Sequence, residues 1–196
     1  MFRRKIMAEL EAWKNSSGKK KALVIKGLRQ IGKTYSVREF AKENYKNIVY
    51  VNFKENESAK KIFDYDLNVN RIIIDLSALI PDSRFEEGNT VIIFDEIQEC
   101  PNALNSLKYF CEEVREYHIA CAGSLLGIRL SKTSFPVGKV DFLNLYPMTF
   151  SEFLIADNSE NLVEVMKQTK EIKEIPKLFE SQLIEKLKIY YIIGGM

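Results

Sequence analysis

The chain has 196 residues, of which 46% are hydrophobic and 29% charged, with nine Gly and five Pro. That length supports one substantial core, and that composition excludes disordered, collagen-like and disulfide-built chains. The net charge of +2 conceals a split, because residues 1–61 hold 16 Lys/Arg against 6 Asp/Glu (+10) while residues 62–196 hold 13 against 21 (−8).

Residues 8–14 read as part of a short helix that ends before the loop Asn15-Ser16-Ser17-Gly18. Ala22-Leu-Val-Ile-Lys26 is a compact apolar run followed at once by Gly, the pattern of a buried strand entering a turn. From Lys33 the apolar positions Val37, Phe40, Ala41 and Tyr45 fall on one helical face. Residues 48–52 form a second strand, and 57–65 and 70–80 read as helices, the latter stopped by Pro81. Val91-Ile-Ile-Phe94 is a third strand ending on two carboxylates, followed by a helix from about Asn102 with Leu104, Leu107, Cys111 and Val114 on one face.

Residues 117–121 form a fourth strand, ending at Gly123-Ser124, and 140–143 a fifth. Thr149 and Glu152 have the spacing of a capping box, and no strand is evident after about residue 150. The stretch 167–177 reads as a linker to a last helix with Leu183, Ile184, Leu187 and Tyr191 on its face and Gly194-Gly195 at its end. Alternating strands and helices predict an α/β fold with a parallel sheet covered on both sides.

Apolar runs such as Ile72–Ile74 and Val91–Phe94 are cut by charge far short of the roughly 20 residues of a membrane span, so no membrane is expected as a partner. The basic start, Met1 to Ile6, lacks the apolar stretch of a secretory signal, and a cytoplasmic location is expected. Cys100, Cys111 and Cys121 are odd in number and fit a reducing compartment. A zinc site made from them and His118 would need spacings of 11, 7 and 3 positions, which match no usual ligand pattern, so all four read as structural.

Gly27-Leu28-Arg29-Gln30-Ile31-Gly32-Lys33-Thr34 fits G-x-x-x-x-G-K-[ST] between a strand and a helix. Such a loop curls so that successive N–H groups converge on a phosphate, and the helix beginning at Lys33 adds its positive end. Lys33 is expected to bridge β- and γ-phosphates and the Thr34 hydroxyl to ligate Mg²⁺. Asp95, delivered at the C-terminal edge of the third strand, is expected to hold a magnesium-bound water. Glu96 is placed to polarise an attacking water, which favours hydrolysis over binding alone.

Arg29 and Gln30 either touch phosphate or a partner or are solvated. Ser124 either senses the γ-phosphate or belongs to a plain Gly-Ser turn. Arg129, Lys139 or a finger from another subunit could neutralise transition-state charge.

These residues resemble prokaryotic AAA+-type ATPases close to the signal-transducing STAND branch. The resemblance rests on GLRQIGKT at 27–34, FDEIQECP at 94–101, AGS at 122–124, LYPMTFSEFL at 145–154 and YYIIGGM at 190–196. It implies an additional-strand P-loop fold, with the DE strand separated from the phosphate-loop strand by another strand. It also implies ATP as ligand and Mg²⁺ as cofactor. Under it, residues 1–150 are the ATPase core and 151–196 a helical region leading into a nuclease-like C-terminal domain beyond Met196. Where many relatives carry Gly-Arg, this chain has Gly138-Lys139, and Lys lacks the bidentate fork of Arg.

The resulting expectation is a slow Mg²⁺-dependent ATP hydrolase that acts as a nucleotide-driven switch, with homo-oligomerisation open. Two alternatives remain at this stage: a nucleic-acid-handling motor or loader that uses the basic first third, and a switch that binds without useful hydrolysis.

Overall fold

The structure is a computed structural model that describes residues 4–16, 21–113, 117–123, 138–169, 171 and 175–195. Side-chain alternation along its strands sets the layering. In β1 (Ala22–Lys26), Ala22 and Val24 join one buried cluster while Leu23 and Ile25 join another. The same split recurs in β3 (Thr90–Asp95), with Ile92 and Phe94 on one side and Val91 and Ile93 on the other. Strands apolar on both faces need cover on both, as parallel sheets have.

With β2 (Asn47–Asn52), β4 (His118–Ala122) and β5 (Val140–Asn144), they form a five-stranded sheet in the order β2-β3-β4-β1-β5, and all four pairings are parallel. β4 lies between the phosphate-loop strand and the DE strand, as the resemblance implies. The register puts Asp95 opposite both Asn52 and Ala122, so the C-terminal ends of β2, β3 and β4 lie level beside the exit of β1.

One face is covered by α1 (Ile6–Lys14) and α2 (Lys33–Asn44), whose Leu10, Trp13, Val37 and Phe40 are buried in one cluster with Leu23, Ile25 and Ile93. The other is covered by α3 (Glu57–Tyr65), α4 (Val69–Leu79) and α5 (Pro101–Glu113), with Phe63, Ile72, Leu76 and Phe110 in the cluster that holds Val24, Val51 and Phe94. A 3-10 turn, Ile97–Glu99, joins β3 to α5. The starts of α3 and α4 are fixed by Asn56 and Asn68, whose side chains accept the N–H groups of Ala59 and Arg71 at 2.9 and 3.0 Å. α5 begins on Pro101, one residue before the expected start, because a first-turn position needs no N–H donor.

Cys100, Cys111 and Cys121 are buried free thiols, and burial pushes the Cys121 thiol up. His118 sits edge-on to the rings of Trp13 and Tyr45 at 5.2 and 5.3 Å between centroids.

Beyond the sheet, α6 (Phe150–Ala156), α7 (Glu160–Gln168) and α8 (Lys177–Ile193) gather around their own cluster of Phe153, Leu154, Leu162, Val163 and Leu183. The expected capping box is present, with Thr149 accepting from the Glu152 N–H at 3.3 Å and Glu152 accepting from the Thr149 N–H at 2.8 Å. Two readings of this region are corrected. The sequence reading contained no helix at 160–168, and the stretch taken as a linker starts inside α7. Of the expected face of α8, Leu183 is buried, but its neighbours there are the partly buried Phe179 and Tyr190, while Ile184 and Tyr191 are 46% and 75% exposed, because α6 and α7 approach α8 from the Phe179 side. No helix among the described residues is long and apolar enough to cross a membrane.

Candidate functional site

The turn out of β1 leaves no room for a side chain at Gly27 unless its neighbours shift. A β-carbon there would lie 2.4 Å from the Leu145 carbonyl oxygen and 2.6 Å from Ile31 Cδ1. Leu145 cannot retreat freely, since its N–H donates to the Lys26 carbonyl at 2.8 Å and so extends the β1–β5 pairing. The loop then turns through Gln30 and Gly32, both with positive φ (61° and 90°), and α2 starts at Lys33.

Lys33 is buried, and its ammonium donates to the carbonyls of Leu28 and, at 3.1 Å, of Gly27. Burial pulls its pKa below the ordinary lysine value, partly countered by the carboxylates of Glu96 and Asp95, while Arg29 adds to the lowering.

The register of the sheet brings Asp95 to this loop. The Thr34 hydroxyl lies 2.9 and 3.0 Å from the two Asp95 carboxylate oxygens. Tyr50, on β2, donates its phenol to Asp95 Oδ2 at 2.7 Å, and the Glu96 N–H donates to Oδ1 at 3.0 Å. The Tyr50 phenol is pushed up by burial and by that hydrogen bond, and Arg38 lies over its ring at 4.9 Å. Glu96 holds left-handed backbone angles (φ 49°, ψ 42°), costly for a residue with a side chain, and its carboxylate accepts from the Gln98 amide.

Arg29, Gln30, Gly32, Lys33, Thr34, Asp95 and Glu96 line a cavity of ≈ 670 Å³, and Tyr35, Lys54, Gln98 and Glu99 complete its wall. Its size suits a nucleotide. The hydroxyl of Thr34 and the carboxylate of Asp95 are hard oxygen donors converging from different elements, a set that fits Mg²⁺ retaining most of its waters. Gly27, Leu28 and Ile31 shape the loop backbone.

Ser124 and Arg129 lie outside the described residues. Lys139 pairs with Glu112 at 2.9 Å and is not among the residues lining the cavity.

Sequence reasoning assigned no part to Tyr50, Gln98 or Lys54. Gln98 carried a signal, since it stands two residues after the carboxylate pair. Tyr50 carried none, because its reach to Asp95 depends on β2 lying beside β3.

A family model for the AAA domain matches residues 19–154, from just before β1 into α6. The chain belongs to the AAA domain family. No curated protein matches the chain.

Among solved structures, this AAA domain is similar to Drosophila ORC bound to DNA, with 15% identity and a TM-score of 0.54 over 95% of this chain and 56% of that one. It is also similar to C. elegans PCH-2 (15% identity, TM-score 0.45, 83% and 44% covered). A mutant RuvB from Thermotoga maritima gives 16% identity, a TM-score of 0.47, and 83% and 50% covered. The chain spans about half the length of these structures. At such identities the likeness to ORC shows the fold alone, an α/β domain with an all-parallel sheet, and the AAA assignment rests on the family model.

Proposed function

We propose that this AAA domain binds ATP with Mg²⁺ at the loop 27–34 and hydrolyses it slowly, the nucleotide state setting the position of α6 to α8 and of whatever follows Met196. The observation that supports this most is the contact of Thr34 with both carboxylate oxygens of Asp95. It couples the phosphate loop to the strand that carries the candidate base.

In this reading the loop N–H groups and Lys33 hold the β- and γ-phosphates. Lys33 exchanges its loop carbonyls for phosphate oxygens through side-chain rotation. Thr34 and Asp95 would hold Mg²⁺, which would supply a Lewis acid for the phosphate oxygens. Water oxygen forms a bond to the γ-phosphorus, the bond to the β–γ bridging oxygen breaks with its electron pair leaving on ADP, and Glu96 takes the water proton.

A STAND-type relationship, a nuclease-like C-terminal domain, a charge stabiliser supplied by a second copy and a cytosolic site of action belong to the same proposal. The buried free thiols support the last of these. Part of the basic excess of residues 1–61 has local employment. Arg4 and Lys33 are tied into the loop, Lys14 bonds the Asn44 carbonyl at 2.9 Å, and Lys26 lies 3.4 Å from the centroid of the Phe142 ring. That weakens the case for a nucleic-acid track.

Nucleotide binding and phosphate release, measured on the wild type, Lys33→Ala and Glu96→Gln, test the reading. Lys33→Ala should lose binding, and Glu96→Gln should keep binding and lose turnover. Wild-type turnover that persists unchanged in Glu96→Gln would remove the base from Glu96, and wild-type phosphate release no higher than that of a protein-free blank would leave a switch without hydrolysis. Salt-sensitive stimulation by DNA would favour a nucleic-acid motor instead.

A further inference from the structure

Arg4 lies outside every motif of the sequence, yet its guanidinium meets three elements at once. Nη1 donates to the Ile31 carbonyl at 3.1 Å, Nη2 to the Tyr146 carbonyl at 2.9 Å, and Nε to Glu152 Oε1 at 3.1 Å. The side chains of Arg4 and Glu152 are only 10% and 5% exposed. Glu152 is itself fully engaged: Oε1 also accepts the Lys5 N–H at 2.9 Å, and Oε2 accepts the N–H and hydroxyl of Thr149 at 2.8 and 3.1 Å. One buried carboxylate thus fixes the start of α6 and the arginine that reaches the phosphate loop.

The Ile31 carbonyl and the Gly32 N–H belong to one peptide group, and no cis bond occurs among the described residues. In a planar trans peptide the C=O and the N–H point in opposite directions. A donor that anchors the Ile31 carbonyl on the outside of the loop therefore aims the Gly32 N–H the other way. A cationic donor also polarises the peptide and strengthens that N–H as a donor in turn. The guanidinium approaches closely enough that Nη1 would lie 3.8 Å from a β-carbon at Gly32.

The contacts continue outward. Met148, next to Thr149, accepts the Tyr190 phenol at 2.6 Å and donates its N–H to the Gly195 carbonyl at 2.6 Å, so the end of α8 is docked on the segment that Glu152 organises.

Resting on the nucleotide-binding reading above, we infer that Arg4 is a positioning residue for phosphate. Through the Ile31–Gly32 peptide it holds the Gly32 N–H toward the bound diphosphate, and through Glu152 it ties that N–H to the helices after the sheet. Arg4 touches no phosphate itself. In this it differs from Lys33 of the loop, whose ammonium would.

The test uses the full chain and titrates pyrophosphate and MgADP into wild type, Arg4→Met, Arg4→Lys, Glu152→Gln and the Arg4→Met/Glu152→Gln pair, well below each melting point. Arg4→Met should weaken both ligands about tenfold, the effect of losing one charge-assisted hydrogen bond. Arg4→Lys should recover little, because an ammonium cannot span the three acceptors as the planar fork does. Glu152→Gln should weaken them by a smaller factor, and the pair should be no worse than Arg4→Met alone.

Pyrophosphate affinity unchanged in Arg4→Met, with only the ligand-free melting point lowered, would make Arg4 structural and overturn the inference. Independent addition of the two substitutions would overturn the link through Glu152. If Arg4→Met does not fold, Arg4→Lys and Glu152→Gln make the same comparison. A wild type that binds neither ligand defeats the nucleotide-binding reading and this inference with it, whereas strong wild-type binding with insensitive variants defeats the inference alone.

Discussion

Gly27→Ala is the sharpest single perturbation of the loop. The new methyl would have to sit 2.4 Å from the Leu145 carbonyl oxygen, where real β-carbons essentially never approach within 3.0 Å, and at a φ of +157°. Relief requires moving the Leu145 backbone, which is pinned by its 2.8 Å hydrogen bond to Lys26, or moving Ile31, which is buried. Overpacking costs about 1–3 kcal/mol, and the unfavourable backbone angle about 1–3 kcal/mol more. Together they lower stability by about 2–6 kcal/mol and the melting temperature by roughly 4–24 °C for a chain of this size.

Gly88→Ala is the matched control. Its φ is +74° and no atom lies within 4 Å of the built β-carbon, so only the backbone term applies, about 1–2 kcal/mol. Urea unfolding of both variants, with unchanged slopes, gives the difference directly. A Gly27→Ala variant no less stable than Gly88→Ala would refute the claim that the loop is held against Leu145.

Tyr50→Phe removes one donor from the Asp95 carboxylate and should cost about 1–2 kcal/mol, read by urea unfolding; no loss would mean that the phenol makes no net contribution there. Leu183→Ala should cost about 2–3 kcal/mol, while Ile184→Ala, on the exposed side of α8, should stay within about 0.5 kcal/mol of wild type. Glu152 has a folded pKa below the ordinary glutamate value: burial alone would raise it, and the bonds from Thr149, Lys5 and Arg4 together outweigh that. Its contribution is therefore complete above about pH 4.5 and lost as pH falls through the lower folded value, so Glu152→Gln should flatten that part of the acid limb in a pH series of melting curves.

The phosphate-loop motif and the acidic pair were legible in the sequence because they are local. The spacing 27–34 and the pair at 95–96 place chemistry within a few residues of a strand end, and the alternating pattern announces the strand itself. Even the capping box at Thr149 and Glu152 could be read, since both partners lie in one helical turn. Arg4 and Tyr50 could not, because each acquires its meaning from residues far away in the chain. Arg4 at the surface and Arg4 between Ile31, Tyr146 and Glu152 look identical as letters. The face of α8 was misread for a related reason. Its ten apolar residues are spread round the axis and interleaved with seven polar ones, so periodicity does not choose a side, and the choice falls to α6 and α7.

Strand order also has a consequence for synthesis. β1 leaves the ribosome early, but its two neighbours in the sheet are β4 and β5, at 118–122 and 140–144. At about 5–20 residues per second, β1 waits roughly 5–20 s for its first partner. Meanwhile β2 can pair with β3, both of which emerge sooner. The half of the cavity that carries the carboxylates is therefore assembled first, and the loop 27–34 takes its shape only when a strand translated much later slides in beside it. Nucleotide arriving during translation meets no finished binding site, so it can stabilise the completed sheet but cannot guide its early assembly.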